Sequence, residues 1–330
     1  VMGAYNRTNG EPSCGSRTLL TDLLRGKWGF QGHVVSDCWA IRDFHEGHNI
    51  TDTPTQSVAL ALETGCDLNC GDSYRCILRA VREGLITEEQ ITAAAERLFT
   101  TRYLLGILGE GSAFDKIPYE VVECEEHLAL AQEAARKSCV LLKNSGLLPL
   151  NVETVGTVGV IGPNANSRVS LIGNYHGTAS RYITVLEGIQ DAMEGHGRAL
   201  YSEGCGLFKD RVEGLGQPGD RLAEAVAVAK HSDVVILALG LDETLEGEEM
   251  DAGNNAESCG DKVDLLLPEP QRELLHRVLD VGKPTIVVLM AGSAIDLSEA
   301  EERADAILLS WYPGAGGDRA VADLLFGKVS

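Results

Sequence analysis

Four short, almost wholly apolar runs recur down the second half of the chain: TVGVIG (157–162), DVVILALG (233–240), PTIVVLMAG (284–292) and DAILLSW (305–311). Runs of this length and composition are strands buried on both faces, and helical patterns between them impose parallel pairing. The spacing predicts helices over 221–230, 268–281 and 316–326. Pro268 suits a first helical turn, where its missing N–H costs nothing. GLFKDRVEGLGQPGDR (206–221) reads as a surface loop. This rhythm restricts the fold to an α/β class with a mostly parallel sheet.

The first part of the chain alternates in the same way. VMGAYN (1–6) and GHVVSD (32–37) read as strands, and CDLNCG (66–71) as a short strand or turn. RTLLTDLLRG (17–26) sets Leu19, Leu20, Leu23 and Leu24 on one stripe, and SVALALETG (57–65) is again helical. Thr87, three residues before Gln90, is a capping box ahead of Ile91, Ala94, Ala95, Leu98 and Leu105. GILGEGSAFDKIPYE (106–120) breaks the pattern as a linker, and HLALAQEAARKSCVLLKN (127–144) predicts one further helix. The domains expected are 1–108 and 151–330, joined by 109–150.

With 49 acidic against 28 basic residues, the net charge of −21 disfavours nucleic acid and anionic membranes as partners and favours neutral substrates. Nine scattered cysteines make neither a dense disulfide framework nor a zinc site; Cys66 and Cys70 lack a second ligand pair. Reduced, mostly buried thiols in a cytoplasmic protein are expected. No apolar stretch reaches the ~18 residues of a membrane span. The sequence opens inside a strand, and any targeting segment would precede Val1, so secretion stays open. A homo-oligomer is neither required nor forbidden.

Two acidic sites follow apolar runs. Asp37 ends the run in VVSDCWAI (34–41), where a barrel strand would present an active-site carboxylate; Asp is equally a favoured helix N-cap. DETLEGEEMD (242–251) follows DVVILALG and crowds Asp242, Glu243, Glu246, Glu248, Glu249 and Asp251, a pattern that suits a general acid and also suits a solvated acidic loop. Two carboxylates at two strand ends suggest the pair that cleaves a glycosidic bond. GVIGPNANS (159–167) misses the dinucleotide fingerprint, and PGAGGDRA (313–320) is more simply a glycine turn than an anion site. There is no GxSxG motif or HExxH spacing, and no cofactor or metal is called for.

Together these stretches resemble glycoside hydrolase family 3. The similarity runs through YNRTNGEPSC (5–14), GKWGFQG (26–32) before VVSDCWAI, ALETGCDLNCG (61–71), SCVLLKNSGLLPL (138–150), TLEGEEMD (244–251) with LLLPEPQRELL (265–275), and YPGAGGDRAVADLLFGKVS (312–330). The resemblance implies the C-terminal part of a (β/α)8 TIM-type barrel followed by an α/β sandwich domain, with the first five or so barrel strands absent. It implies a retaining exo-β-glycosidase acting on oligosaccharides or glycosides, with Asp37 as nucleophile and Glu248 as acid/base. Tyr5, Cys38, Trp39 and Glu246 would line the sugar site, and Glu246 is the alternative acid/base. Cys38 followed by Trp39, with DLNCG further on, resembles the xylosidase and arabinofuranosidase branch; Asp251–Ala252 departs from the family's Asp-Arg. β-Glucosidase is the nearest alternative, then a non-catalytic carbohydrate-binding relic, then a nucleotide-binding α/β protein.

Overall fold

The computed structural model describes every residue except 110, 211, 213, 249–261, 263 and 330. It divides into two compact units, Val1–Pro118 and Tyr119–Ser330.

In the first unit, β1 (Met2–Gly3) leads into a hairpin of β2 (Arg7–Thr8) and β3 (Glu11–Pro12). Asn9 and Gly10 close it with positive φ (52° and 89°), the conformation that makes Asn-Gly a favoured tight turn. Ser16 then caps a wide π-type helix over Arg17–Lys27 by accepting from Leu19 N–H at 3.0 Å, and Leu20 and Leu24 are buried beneath it. β4 (Val35–Ser36) runs parallel to β1, and Leu68 bridges Val35 in parallel as well. The strands expected over 1–6 and 32–37 are therefore present but short.

Four helices follow: α1 (Asp43–Glu46), α2 (Pro54–Thr64), α3 (Ile77–Arg82) and α4 (Glu88–Leu104). α2 has Thr53 as cap, Pro54 at its first position and Gly65 in the left-handed conformation after it, the asymmetry that backbone sterics favour. α4 carries the expected capping box on Thr87 and Gln90. The Asp67 carboxylate is fully buried and accepts from Arg25 (2.7 Å), Arg97 (2.6 Å) and Val34 N–H (2.9 Å). A buried charge persists only when paired and hydrogen-bonded in this way. These contacts tie the π-type helix and α4 to the strand ends.

In the second unit, the helix expected over 127–144 is corrected: α5 (Glu125–Ser138) stops, Cys139 turns extended, and β5 (Val140–Asn144) begins. VLL has no polar face for a helix, and it pairs antiparallel with a later strand. The remaining elements are β6 (Thr157–Ile161), α6 (Val185–Met193), β7 (Arg198–Ser202), α7 (Asp220–Lys230), β8 (Val234–Gly240), α8 (Glu269–Leu279), β9 (Thr285–Met290), α9 (Ser298–Arg303), β10 (Ala306–Leu309) and α10 (Gly317–Leu325). Pro268 is the cap of α8 rather than a residue inside its first turn.

The sheet order is β5-β10-β9-β8-β6-β7, parallel except at β5. Val234, Ile236 and Ala238 of β8 join one core, and Val235, Leu237 and Leu239 the other. Helices thus cover both faces, as a wholly apolar strand requires. From β6 the chain proceeds outward to β7, and from β8 it proceeds to β9 on the opposite side. The order therefore reverses between β6 and β8, the position at which open α/β sheets bind ligands beyond the carboxyl ends of their strands.

Candidate active site

In the first unit, Asp37 leaves β4 with its N–H on Gly3 O at 2.8 Å. Its Oδ1 accepts from Cys38 N–H at 2.8 Å. The residue at the cap position of α1 is Arg42, so Asp37 caps its own turn and no helix. That turn is pinned to the segment after Asp67 in three ways. Cys38 and Cys70 form a disulfide, Trp39 N–H donates to Cys70 O at 2.8 Å, and Ser36 Oγ accepts from Cys70 N–H at 3.0 Å. The disulfide corrects the expectation of reduced thiols: 32 residues separate the pair, but the parallel alignment of residues 34–36 and 68 sets the two cysteines side by side. Cys14, Cys66, Cys76, Cys124 and Cys205 are not in disulfides, Cys139 Sγ donates to Ala135 O, and Cys259 lies outside the described residues.

Trp39 takes a left-handed φ of 70° and stays exposed, its ring 5.8 Å from the Arg42 guanidinium. A Cβ on Gly71 would stand 3.2 Å from that ring, which is why the small residue fits beneath it. Tyr5 follows β1 and is also exposed. Asp37, Cys38 and Trp39 thus share one turn, and Tyr5 lies on the loop after the adjoining strand. Ser36, Asn69 and Cys70 complete this platform; the signal for them was DLNCG beside a second strand end, which carries no pairing information by itself.

In the second unit, the acidic loop leaves β8 at the sheet's reversal point. Leu241 N–H donates to Met290 O at 2.8 Å, and Asn164 Nδ2 donates to Leu241 O at 2.9 Å. Asn164 belongs to GVIGPNANS, whose role here is to brace the next loop. Asp242 is buried and accepts from Thr244 N–H (2.9 Å) and Oγ1 (2.6 Å), and Leu245 anchors the turn in the core.

The crowding expected of the acidic cluster resolves into carboxylates with separate partners. Glu243 meets His176 Nε2 at 3.0 Å. Glu246 accepts from Gly292 N–H at 2.7 Å, from Ser293 Oγ and from Tyr312 OH. Burial first, and then the bond to Glu246, push the Tyr312 phenol well above its ordinary range, so it serves as a neutral donor. Glu248 is exposed and accepts from Tyr175 OH. Tyr175 has a left-handed φ of 62°, and its contribution was not signalled by apolar periodicity. Glu249 and the Asp251–Ala252 departure lie outside the described residues. A cavity of about 890 Å³ borders Leu241, Leu245, Pro268 and Arg272, and neither Glu246 nor Glu248 lines it.

Among the described residues, no group of three or more His, Cys, Asp or Glu could hold a metal ion, and no helix is long and apolar enough to cross a membrane. The two carboxylates Asp37 and Glu248 reside in different units.

Comparison with known proteins adds the wider context. Residues 1–101 match the glycosyl hydrolase family 3 N terminal domain, and residues 139–330 match the C-terminal domain of the same family. The chain is 36% identical over 337 residues to beta-D-xylosidase 1 of Arabidopsis thaliana, covering 100% of this chain and 41% of that protein. Identity to beta-xylosidase/alpha-L-arabinofuranosidase 1 of Medicago sativa subsp. varia is 35%, with 100% of this chain and 41% of that protein covered. Periplasmic beta-glucosidase of Salmonella typhimurium is 32% identical, over 100% of this chain and 44% of that protein. Among solved structures, a GH3 exo-beta-xylosidase bound to a xylobiose aziridine probe superposes with a TM-score of 0.88 at 30% identity, covering 99% of this chain and 41% of that one. The chain thus spans about two fifths of the length of these xylosidase relatives. With both family domains matched in order, it belongs to glycoside hydrolase family 3.

Proposed function

We propose that the complete protein is a retaining exo-β-glycosidase of the β-xylosidase type, with α-L-arabinofuranosidase activity as a companion specificity. The observation that carries this reading is the placement of Asp37. It sits at a strand end, in a turn fixed by a disulfide and two hydrogen bonds, within the matched N-terminal family domain.

In the first step an Asp37 carboxylate oxygen attacks the anomeric carbon. The glycosidic C–O bond breaks, and Glu248 gives its proton to the departing oxygen. In the second step ionised Glu248 takes a proton from water, the water oxygen attacks the same carbon, and the ester bond to Asp37 breaks. Two inversions give net retention. The exposure of Glu248 at a sheet reversal point supports its role as the proton carrier that must meet both leaving group and water.

Similarity to xylosidases and to a Medicago enzyme named for both activities supports the pentose reading. Similarity to a Salmonella beta-glucosidase supports β-glucoside as the second reading. The Cys38–Cys70 disulfide favours an oxidising compartment over the reducing cytoplasm. A neutral glycoside is the partner that a strongly acidic chain admits.

The test is turnover by the complete protein of aryl β-xyloside, aryl α-L-arabinofuranoside and aryl β-glucoside, with the first product anomer read by proton NMR. The expected result is fastest turnover of the β-xyloside with β-xylose released first. Release of α-xylose first from the β-xyloside would refute retention. Sugar binding without turnover would leave the protein a carbohydrate-binding relic.

A further inference from the structure

We propose that Glu246 is a positioning residue, clamping the acidic loop so that Glu248 is held in place, and that it transfers no proton itself. The inference deepens the glycosidase reading above and rests on it.

Glu246 and Glu248 are two residues apart on one loop, and either could be the acid/base by sequence alone. Their surroundings separate them. Both oxygens of Glu246 are occupied: Oε2 accepts from Gly292 N–H at 2.7 Å and from Tyr312 OH, and Oε1 accepts from Ser293 Oγ. Gly292 and Ser293 lie just past the end of β9, and Tyr312 lies past the end of β10. The carboxylate therefore ties the loop after β8 to the ends of the next two strands. Charge-assisted hydrogen bonds of this kind are about twice as strong as neutral ones.

The packing around the clamp has no room to spare. A Cβ on Gly292 would lie 3.1 Å from Glu246 Oε2 and 3.0 Å from the Tyr312 ring, and a Cβ on Gly173 would lie 2.9 Å from that ring. Two glycines thus admit the phenol to the carboxylate. The loop's other end is anchored by buried Leu245 and by the Asp242 turn, so the clamp fixes the segment immediately before Glu248. A general acid must alternate between protonated and ionised forms with an oxygen open to leaving group and water. Glu248 is exposed, whereas both oxygens of Glu246 are held by Gly292, Ser293 and Tyr312.

The experiment uses the complete protein and variants Glu246→Ala, Glu248→Ala, Ser293→Ala and Tyr312→Phe. Each is assayed on 2,4-dinitrophenyl and phenyl β-xylosides, with and without sodium azide. Loss of the acid/base leaves the activated dinitrophenyl substrate able to form the glycosyl-enzyme. Azide can then attack the anomeric carbon, breaking the bond to Asp37 and giving a glycosyl azide. Glu248→Ala should show this behaviour. Glu246→Ala should instead lose kcat by about 10–100-fold on both substrates alike, without azide rescue, because misplacement near a reacting group slows every step it serves. Ser293→Ala and Tyr312→Phe, which keep the carboxylate, should lower kcat by smaller factors and leave the pH-rate limbs in place.

Azide rescue of Glu246→Ala with glycosyl azide as product would overturn the inference, as would wild-type kcat in both Ser293→Ala and Tyr312→Phe. The latter pair decides the matter if Glu246→Ala does not fold. An active complete protein in which neither glutamate variant responds to leaving group or azide would instead sink the two-carboxylate reading, and this inference with it.

Discussion

Gly240 leaves β8 with a φ of +150°, and an added Cβ would stand 1.8 Å from Met290 O. No L-residue fits there, because the adjacent strand's backbone cannot give. Gly240→Ala should destabilise the second unit by more than about 3 kcal/mol, combining backbone strain with a buried clash. A urea denaturation midpoint checks it. Tyr312 gives a pH-dependent expectation. Its phenol, raised from an ordinary value of 10.0, stays protonated in the folded state while the unfolded chain ionises. The stabilisation is complete below about pH 10 and falls as pH rises beyond it. Tyr312→Phe should therefore flatten the alkaline loss of the denaturation midpoint. If the proposed mechanism holds, Glu248→Ala in the complete protein should slow phenyl β-xyloside hydrolysis by about 10²–10⁴-fold, the usual range for a lost general acid. The strand-end position of Asp37 was legible from residue types alone. The donors to Glu246 were not, since they arrive from 46, 47 and 66 residues downstream through sheet topology.

Helix caps, unlike those donors, are local chemistry. α6 begins with a capping box in which Thr184 Oγ1 accepts from Glu187 N–H and the Glu187 side chain accepts from Thr184 N–H. Thr184→Ala should cost about 1 kcal/mol, read as a lower thermal midpoint of the second unit. The four central strands were legible because both of their faces are apolar. β7 was not: Arg198 and Tyr201 are exposed and its run is weakly apolar, as befits a sheet edge. Nor was β5, whose short VLL run merges in sequence with the helix before it. The turn bearing Asp37 depends on a different element, the Cys38–Cys70 staple. Reduction by millimolar thiol should lower kcat on aryl β-xyloside, and the Cys38→Ser/Cys70→Ser double variant should match the reduced protein and ignore further thiol. Unchanged kcat in that variant would show that the hydrogen bonds of Trp39 N–H and Ser36 Oγ to Cys70 are enough to hold Asp37.

Across the whole molecule, each unit has hydrophobic clusters of its own. Leu20, Leu24, Val34, Ile41 and Phe44 form one in Val1–Pro118, and the β6, β8 and β9 residues form two in Tyr119–Ser330. A fragment covering residues 119–330 should accordingly unfold cooperatively by circular dichroism, and a broad, non-cooperative melt would refute that expectation. The order of strands also sets a clock. β5 is the first strand of its sheet to be synthesised, yet its partner is β10, the last. Everything from Ser145 to Asp305 must leave the ribosome before the two can meet. At roughly 5–20 residues per second, that delay is on the order of ten seconds. For that interval Val140, Leu141 and Leu142 form an apolar, unpaired segment on the nascent chain, the stretch that a chaperone would have most reason to cover.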